Sequence, residues 1–183
     1  VENTDSLDYY LKGLYLQNQW DFQNAENILS YFEKSIELDP SFVKGYIGLS
    51  HAYTWLGSTG YVSPIEAHKK LEFCLERISD LDDKNSDIWS VLAGKNFWIE
   101  WNLPLALENI NNAIKLKPGF ADAYIYKGLI EAALGKVDEA LNSLFYCERL
   151  NPYSDTVNYG IGMIYNLIGD YEPAKKYIER NIE

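Results

Sequence analysis

Residues 121–152, ADAYIYKGLIEAALGKVDEALNSLFYCERLNP, decide the fold of this 183-residue chain. Residues 121–134 are helix-forming, and Gly135 follows them as a C-terminal stop signal. A second helix is predicted to start near Asp138, where negative charge suits the helix dipole, and its apolar residues recur every three to four positions. Pro152 ends that helix. The stretch is therefore predicted to form a helical hairpin.

The hairpin recurs along the chain with a period of 34 residues. Its small residues return one period later in three pairs, namely Gly128 and Gly162, Gly135 and Gly169, and Ala140 and Ala174. Three segments of one type, SIELDP, AIKLKP and CERLNP, end at Pro40, Pro118 and Pro152. No strand-like alternation of useful length appears, so we predict an all-α fold.

These residues resemble the tetratricopeptide repeat, whose pattern combines small and large apolar residues at fixed positions of a helical hairpin. The resemblance implies a right-handed α–α superhelix of about five hairpins in one array over residues 1–183. The repeats are predicted at residues 6–40, 43–83, 86–118, 121–152 and 155–183, the last one truncated. Repeat two has an inserted loop, STGYVSPIE, after Gly57, repeat one has about three extra residues between its helices, and repeat three has one residue added near WNLP.

The resemblance also implies a concave groove lined by the first helix of each repeat. Positions 2, 5, 9, 12 and 13 of that helix face the groove in the family. The groove residues predicted in this way are Lys44, Ile47, His51, Trp55, Asp87, Phe97, Trp98, Asp122, Ile125, Leu129, Tyr159, Met163 and Asn166. Trp55 and Trp98 would hold one slot in adjacent repeats. Two interpretations stay open for these indoles: they line the groove, or they pack under the inserted loop 58–66 or a neighbouring helix.

Charge and composition exclude several classes of protein. The chain has 27 acidic and 16 basic residues, a formal charge of −11, so direct binding of nucleic acid by this segment is not expected. No apolar run approaches the roughly 20 residues of a membrane span. Cys74 and Cys147 are too few for a disulfide framework and hold small core positions, which favours a reducing, cytoplasmic location.

Catalytic chemistry finds little support in the sequence. His51 and His68 are 17 residues apart, with no cysteine or carboxylate at ligand spacing, so we expect neither a metal site nor a general base. No complete nucleotide-binding motif is present, and we expect no cofactor and no enzymatic activity. The residues at positions 5 and 9 also lack the Lys and Asn clamp with which chaperone-binding members of the family hold a peptide carboxylate.

We therefore predict a protein–protein or intramolecular interaction module that binds a peptide or helix in an apolar groove. Two alternatives stay open: a small-molecule or peptide sensor that controls an attached domain, and an oligomerisation scaffold, such as a homodimer, that uses residues 155–183. The chain begins at Val1 and its only methionine is Met163, so we expect a piece of a longer protein. Its sequence resembles repeat regions of bacterial signalling proteins, and this resemblance implies a regulatory segment linked to a cyclase or a DNA-binding domain.

Overall fold

The computed structural model describes residues 3–19, 22–82, 85–152 and 154–180. Within these residues the chain forms ten α-helices and no strand, which confirms the all-α fold class. The chain divides into two compact units, residues 1–101 and 102–183. The single array of the sequence analysis stays a prediction, and the two helices of its third repeat belong to different units.

Unit 1 contains two complete hairpins and one further helix. Its elements are α1 (Thr4–Gln17), a short 3-10 turn (Phe22–Asn24), α2 (Ala25–Leu38), α3 (Val43–Ser58), α4 (Pro64–Leu81), α5 (Ile88–Gly94) and a π-helical segment (Lys95–Ile99). The helix α3 contacts α1, α2, α4, α5 and the π-helical segment, so it is the centre of this unit. The N-terminus of α4 is set by Ser63, whose hydroxyl accepts the Glu66 amide, and by Pro64 in the first turn.

Phe32 fills the core of unit 1 and contacts two glycines on neighbouring helices. A Cβ at Gly13 of α1 would lie 2.8 Å from the Phe32 ring, and a Cβ at Gly48 of α3 would lie closer still. Only glycine leaves room for this ring, because protein cores pack to crystal-like density. Near by, α1 and α2 are joined by a buried pair in which each hydroxyl of Ser6 and Ser35 donates to the other residue's carbonyl, at 2.9 and 2.8 Å.

Unit 2 contains one helix followed by two hairpins. Its helices are α6 (Leu103–Leu116), α7 (Ala121–Ala133), α8 (Val137–Leu150), α9 (Asp155–Leu167) and α10 (Tyr171–Glu179). Leu144 and Cys147 of α8 pack with Val157 and Ile161 of α9 in its core. Gly135 and Gly169 turn the chain between the helices of each hairpin with φ of 76° and 81°, a conformation that glycine adopts without strain.

The third predicted repeat departs from this plan at the end of its first helix. Trp101 lies one period before Gly135 and adopts the same left-handed backbone, with φ of 56°. The π-helical segment precedes it. Ala93 and Gly128 share a repeat position 35 residues apart, whereas Trp101 and Gly135 are 34 apart, so the extra residue lies between Ala93 and Trp101. The π-helical segment therefore absorbs the insertion predicted near WNLP, because a π turn holds one residue more than an α turn.

Candidate functional site

The helix α9 exposes an apolar row, which we call the α9 face and define as Thr156, Tyr159, Met163, Asn166 and Leu167. All five residues are exposed, while Val157, Ile161 and Ile164 on the other side of the helix are buried. The exposed fractions of Tyr159, Met163 and Leu167 are 53%, 47% and 72%. These side chains are spaced four residues apart and so lie in one row on the helix. Large exposed apolar side chains in a contiguous row are typical of an interaction surface.

The corresponding residues of α7 are more covered. Asp122 is exposed, Leu129 is half-buried, and Ile125 is 8% exposed. Partial desolvation raises the pKa of Asp122 above its ordinary value. Burial, with a smaller contribution from Asp122, raises the pKa of Tyr126 to about 12. Of the predicted groove residues in unit 2, those of α9 are therefore the most available for contact.

In unit 1 the predicted groove residues of α3 form one row, which we call the α3 face and define as Lys44, Ile47, His51 and Trp55. Lys44 is exposed and the other three are half-buried. Burial lowers the pKa of His51, and the charge of Asp87 opposes that effect. The same Asp87 also raises the pKa of Tyr10, after the larger contribution of burial. His51, Tyr10 and Asp87 thus belong to one electrostatic neighbourhood formed by α1, α3 and the start of α5.

Trp55 belongs to an aromatic cluster made with two connecting segments. The Phe22 ring stacks on the Trp55 ring with centroids 4.9 Å apart, and on the Tyr61 ring at 6.5 Å. Phe22 and Tyr61 are 44% and 48% exposed. The predicted loop 58–66 contributes Tyr61, and the segment between α1 and α2 contributes Phe22, for which the repeat pattern makes no prediction. The one feature of the sequence that points to Phe22 is that an aromatic residue lies inside an insertion.

The predicted residues of repeat three are differently placed. Asp87 and Trp98 are half-buried, Phe97 is 7% exposed, and the rings of Phe97 and Trp98 are in contact at 4.4 Å. Because the π-helical segment adds one residue, counting back from Trp101 puts Trp98 at position 12 and Ile99 at position 13. By this count Trp55 and Trp98 are one repeat position apart, whereas counting forward from residue 86 gives them the same position. That the two residues share one repeat position stays a prediction.

A cluster beside the π-helical segment has the composition of a metal site. One ligand atom each from His68, Glu72 and Glu100 lies within 4.8 Å of the others, a geometry that the spacing of the two histidines did not indicate. The Lys95 ammonium contacts the carboxylates of both Glu72 and Glu100, and its side chain is only 12% exposed. The positive charge between these carboxylates is therefore supplied by lysine, and the network fixes the π-helical segment to α4.

Two thiols and one carboxylate of the core have structural roles. Burial raises the pKa of both Cys74 and Cys147 to about 11, so the two thiols stay protonated at neutral pH. Glu131 is 6% exposed, accepts a hydrogen bond from the Ser143 hydroxyl at 2.6 Å, and lies 3.7 Å from the Lys127 ammonium. The polar pair Lys127 and Glu131 therefore belongs to the contact between α7 and α8. Across the described ranges, no helix combines the length and apolar character that crossing a membrane requires.

Comparison with known proteins supports the fold. The sequence model of the tetratricopeptide repeat matches residues 156–183. Anaphase-promoting complex subunit 3 of Schizosaccharomyces pombe is 28% identical over 163 residues, which are 89% of this chain and 23% of that protein. Transcriptional regulator HilA of Salmonella typhimurium is 23% identical over 156 residues, 83% of this chain and 27% of that protein. The chain thus spans about a quarter of the length of these curated relatives.

Two solved structures show the same architecture. TTC0263, a thermophilic tetratricopeptide-repeat protein of Thermus thermophilus, has a TM-score of 0.77 at 18% identity, covering 97% of this chain and 90% of that one. YrrB, described as a tetratricopeptide-repeat protein with an unusual peptide-binding site, has a TM-score of 0.55 at 22% identity, covering 97% and 85%. The resemblance drawn from the sequence is confirmed: this chain has the fold of tetratricopeptide-repeat proteins, and the family model matches its last period.

Proposed function

We propose that this chain is a non-catalytic interaction module. The α9 face of unit 2 binds a protein or peptide segment, and the α3 face of unit 1 is a second contact surface, taken by itself. The observation that carries the proposal is the α9 face itself. All five residues of the α9 face are exposed, and three of them carry large apolar side chains. A soluble helix leaves such a row uncovered at a cost, because apolar surface in water is unfavourable by about 25 cal/mol per Å².

The aromatic cluster of unit 1 is the second support. Trp and Tyr are enriched among the residues that dominate binding energies, since they bury a large area and keep a polar group for hydrogen bonding. Phe22, Trp55 and Tyr61 present such rings at one end of the α3 face. The solved relative YrrB is described as having a peptide-binding site, which agrees with this use of the fold.

The net charge of the two units indicates which kind of partner they attract. Residues 1–101 carry 16 acidic and 8 basic residues, and residues 102–183 carry 11 acidic and 8 basic residues, so both units are negative. A partner segment with apolar anchors and flanking basic residues complements these surfaces and is attracted to them at low salt. The two curated relatives, a complex subunit and a transcriptional regulator, support a regulatory role for the chain inside a larger protein.

A peptide selection tests the proposal. A random peptide library is displayed on phage and selected against the immobilised chain, and the enriched peptides are synthesised and measured by calorimetry. We expect peptides with apolar and basic residues. The variant Tyr159→Ser with Leu167→Ser should weaken their binding at least ten-fold, because one anchor contributes about 1–2 kcal/mol.

The matched control is Tyr15→Ser, which removes a tyrosine that is 68% exposed on α1, outside both faces. It should leave binding unchanged. Selection that enriches no peptide, or peptides that bind all three proteins equally, would refute the role of the α9 face. Sedimentation of the free chain tests the alternative in which a second copy of the chain covers the α9 face. A dimer that the α9 variant breaks would assign the face to self-association.

A further inference from the structure

Trp101 is a bulky residue held in an unfavourable backbone conformation with little burial to offset it. Its φ is 56° and its side chain is 72% exposed. Outside glycine and asparagine, left-handed backbone is rare and costs about 1–2 kcal/mol. Strained residues persist where surrounding structure enforces them, and they concentrate at functional sites. The indole of Trp101 contributes little to the core, so its presence on the surface calls for another explanation.

The preceding residue, Glu100, is anchored through one oxygen. Its Oε1 atom lies 2.9 Å from the Lys95 ammonium and 3.5 Å from Nδ1 of His68. The Glu100 side chain is 31% exposed. The carboxylate is therefore held in place by Lys95 and is still reached from solvent.

Elsewhere in this chain, cations are shared between an aromatic ring and a carboxylate. The Lys12 ammonium lies 2.7 Å from Asp8 and 5.0 Å from the Tyr9 ring centre. The Arg180 guanidinium does the same with Glu148 at 2.8 Å and Tyr177 at 4.4 Å.

Both arrangements combine an ion pair with attraction to the negative face of the ring. No cation among the described residues lies over the Trp101 ring, although indole is the strongest partner for such a contact.

We propose that Trp101 and Glu100 together accept an arginine side chain from a partner protein. The guanidinium stacks on the exposed indole and donates to the carboxylate of Glu100. Arginine suits the pair better than lysine because its planar group stacks on aromatic faces and donates from several N–H groups at once. The net negative charge of unit 1 favours the same partner. This site uses none of the residues that define the α3 and α9 faces, and its test does not depend on them.

Titration of the whole chain with N-acetyl-arginine amide, followed by NMR of tryptophan indoles labelled with ¹⁵N, tests the proposal. The Trp101 signal is identified by its loss in Trp101→Phe. We expect a saturable shift of this signal at millimolar ligand, with the half-buried Trp89 indole unmoved. N-acetyl-citrulline amide has the same shape and no charge, and it should shift the Trp101 signal at least five-fold less.

Glu100→Gln removes the carboxylate charge and should weaken arginine binding at least three-fold. Its matched control is Glu172→Gln, an exposed carboxylate on α10, which should leave the titration unchanged. The proposal is overturned if arginine produces no saturable shift at Trp101, if citrulline matches arginine, or if all indoles shift together. Equal binding by the wild type and Glu100→Gln would remove Glu100 from the site and refute the paired recognition.

Discussion

Trp101 and Gly135 adopt the same left-handed backbone at turns one 34-residue period apart, with φ of 56° and 76°. Only Gly135 does so without strain. We predict that Trp101→Asn raises the free energy of unfolding by about 1 kcal/mol, because asparagine tolerates this conformation and adds little entropy to the unfolded chain. Urea denaturation followed by circular dichroism measures the change.

The reciprocal variant at the second turn is the control. Gly135→Ala should lower the free energy of unfolding by about 1 kcal/mol, since a Cβ is unfavourable at positive φ while no other atom lies within 4 Å of it. A Trp101→Asn protein that is less stable than the wild type would show that the indole makes a stabilising contact.

Phe32 and Gly48 form a tight contact whose loss should be measurable as a coupling. We predict that Gly48→Ala destabilises the protein by about 1–3 kcal/mol, because the new methyl group overlaps the Phe32 ring. Combining it with Phe32→Leu should cost at least about 0.5 kcal/mol less than the sum of the two single changes. Chemical denaturation of the four proteins completes the cycle.

Gly119→Ala is the matched control for this cycle, because no atom outside the immediate chain lies within 4 Å of the added Cβ. Its effect should stay within about 0.5 kcal/mol. Strict additivity of Gly48→Ala and Phe32→Leu would show that the glycine is not required by the ring.

The lowered pKa of His51 predicts an acid-sensitive contribution to stability. Below the ordinary histidine pKa of about 6.5, the unfolded chain binds a proton at this residue while the folded chain does not until lower pH. Stability from this group is therefore present above that value and falls as the pH drops through it. We expect the loss of stability between about pH 7.5 and 5.5 to be smaller in His51→Gln than in the wild type.

His68→Gln is the comparison for this measurement, because His68 lies on α4 with 44% of its side chain exposed. An unchanged pH dependence in His51→Gln would assign the acid sensitivity to other groups.

The hydrogen bond from Ser143 to Glu131 predicts an asymmetric mutational result. Ser143→Ala leaves a buried carboxylate oxygen without its donor and should cost about 1–3 kcal/mol. Replacing both partners, in Ser143→Ala with Glu131→Leu, should cost less than Ser143→Ala alone, because no unpaired polar atom remains. Ser30→Ala on the exposed side of α2 is the control. Equal costs for the single and double variants would indicate that the bond contributes little.

Much of the hairpin plan follows from the spacing of small residues and stop signals. The predicted helix over residues 121–134 is observed as Ala121–Ala133, and the repeat predicted from residue 155 begins with the helix Asp155–Leu167. Glycine at a turn and apolar residues every three to four positions are local signals, so a sequence carries them in full.

Two features could not be predicted from the sequence, because they depend on how an inserted residue or segment folds. An extra residue in repeat three shows in the spacing, but spacing alone does not say whether a loop or a helix absorbs it. The aromatic cluster likewise joins Phe22 and Tyr61, which lie 39 residues apart in two insertions. Contacts between insertions are not periodic, so the repeat pattern contains no information about them.

The π-helical segment separates two properties that usually change together, the length of a repeat and the geometry of its turn. Because the additional residue is held inside the helix, the turn at Trp101 and the start of α6 remain in phase with the hairpins that follow. Residues 95–99 are consequently a point where one codon can be gained or lost with the loops intact. Because the π turn takes up the additional residue, such a change would leave the helix faces before and after it in phase and would alter only the side chains within residues 95–99.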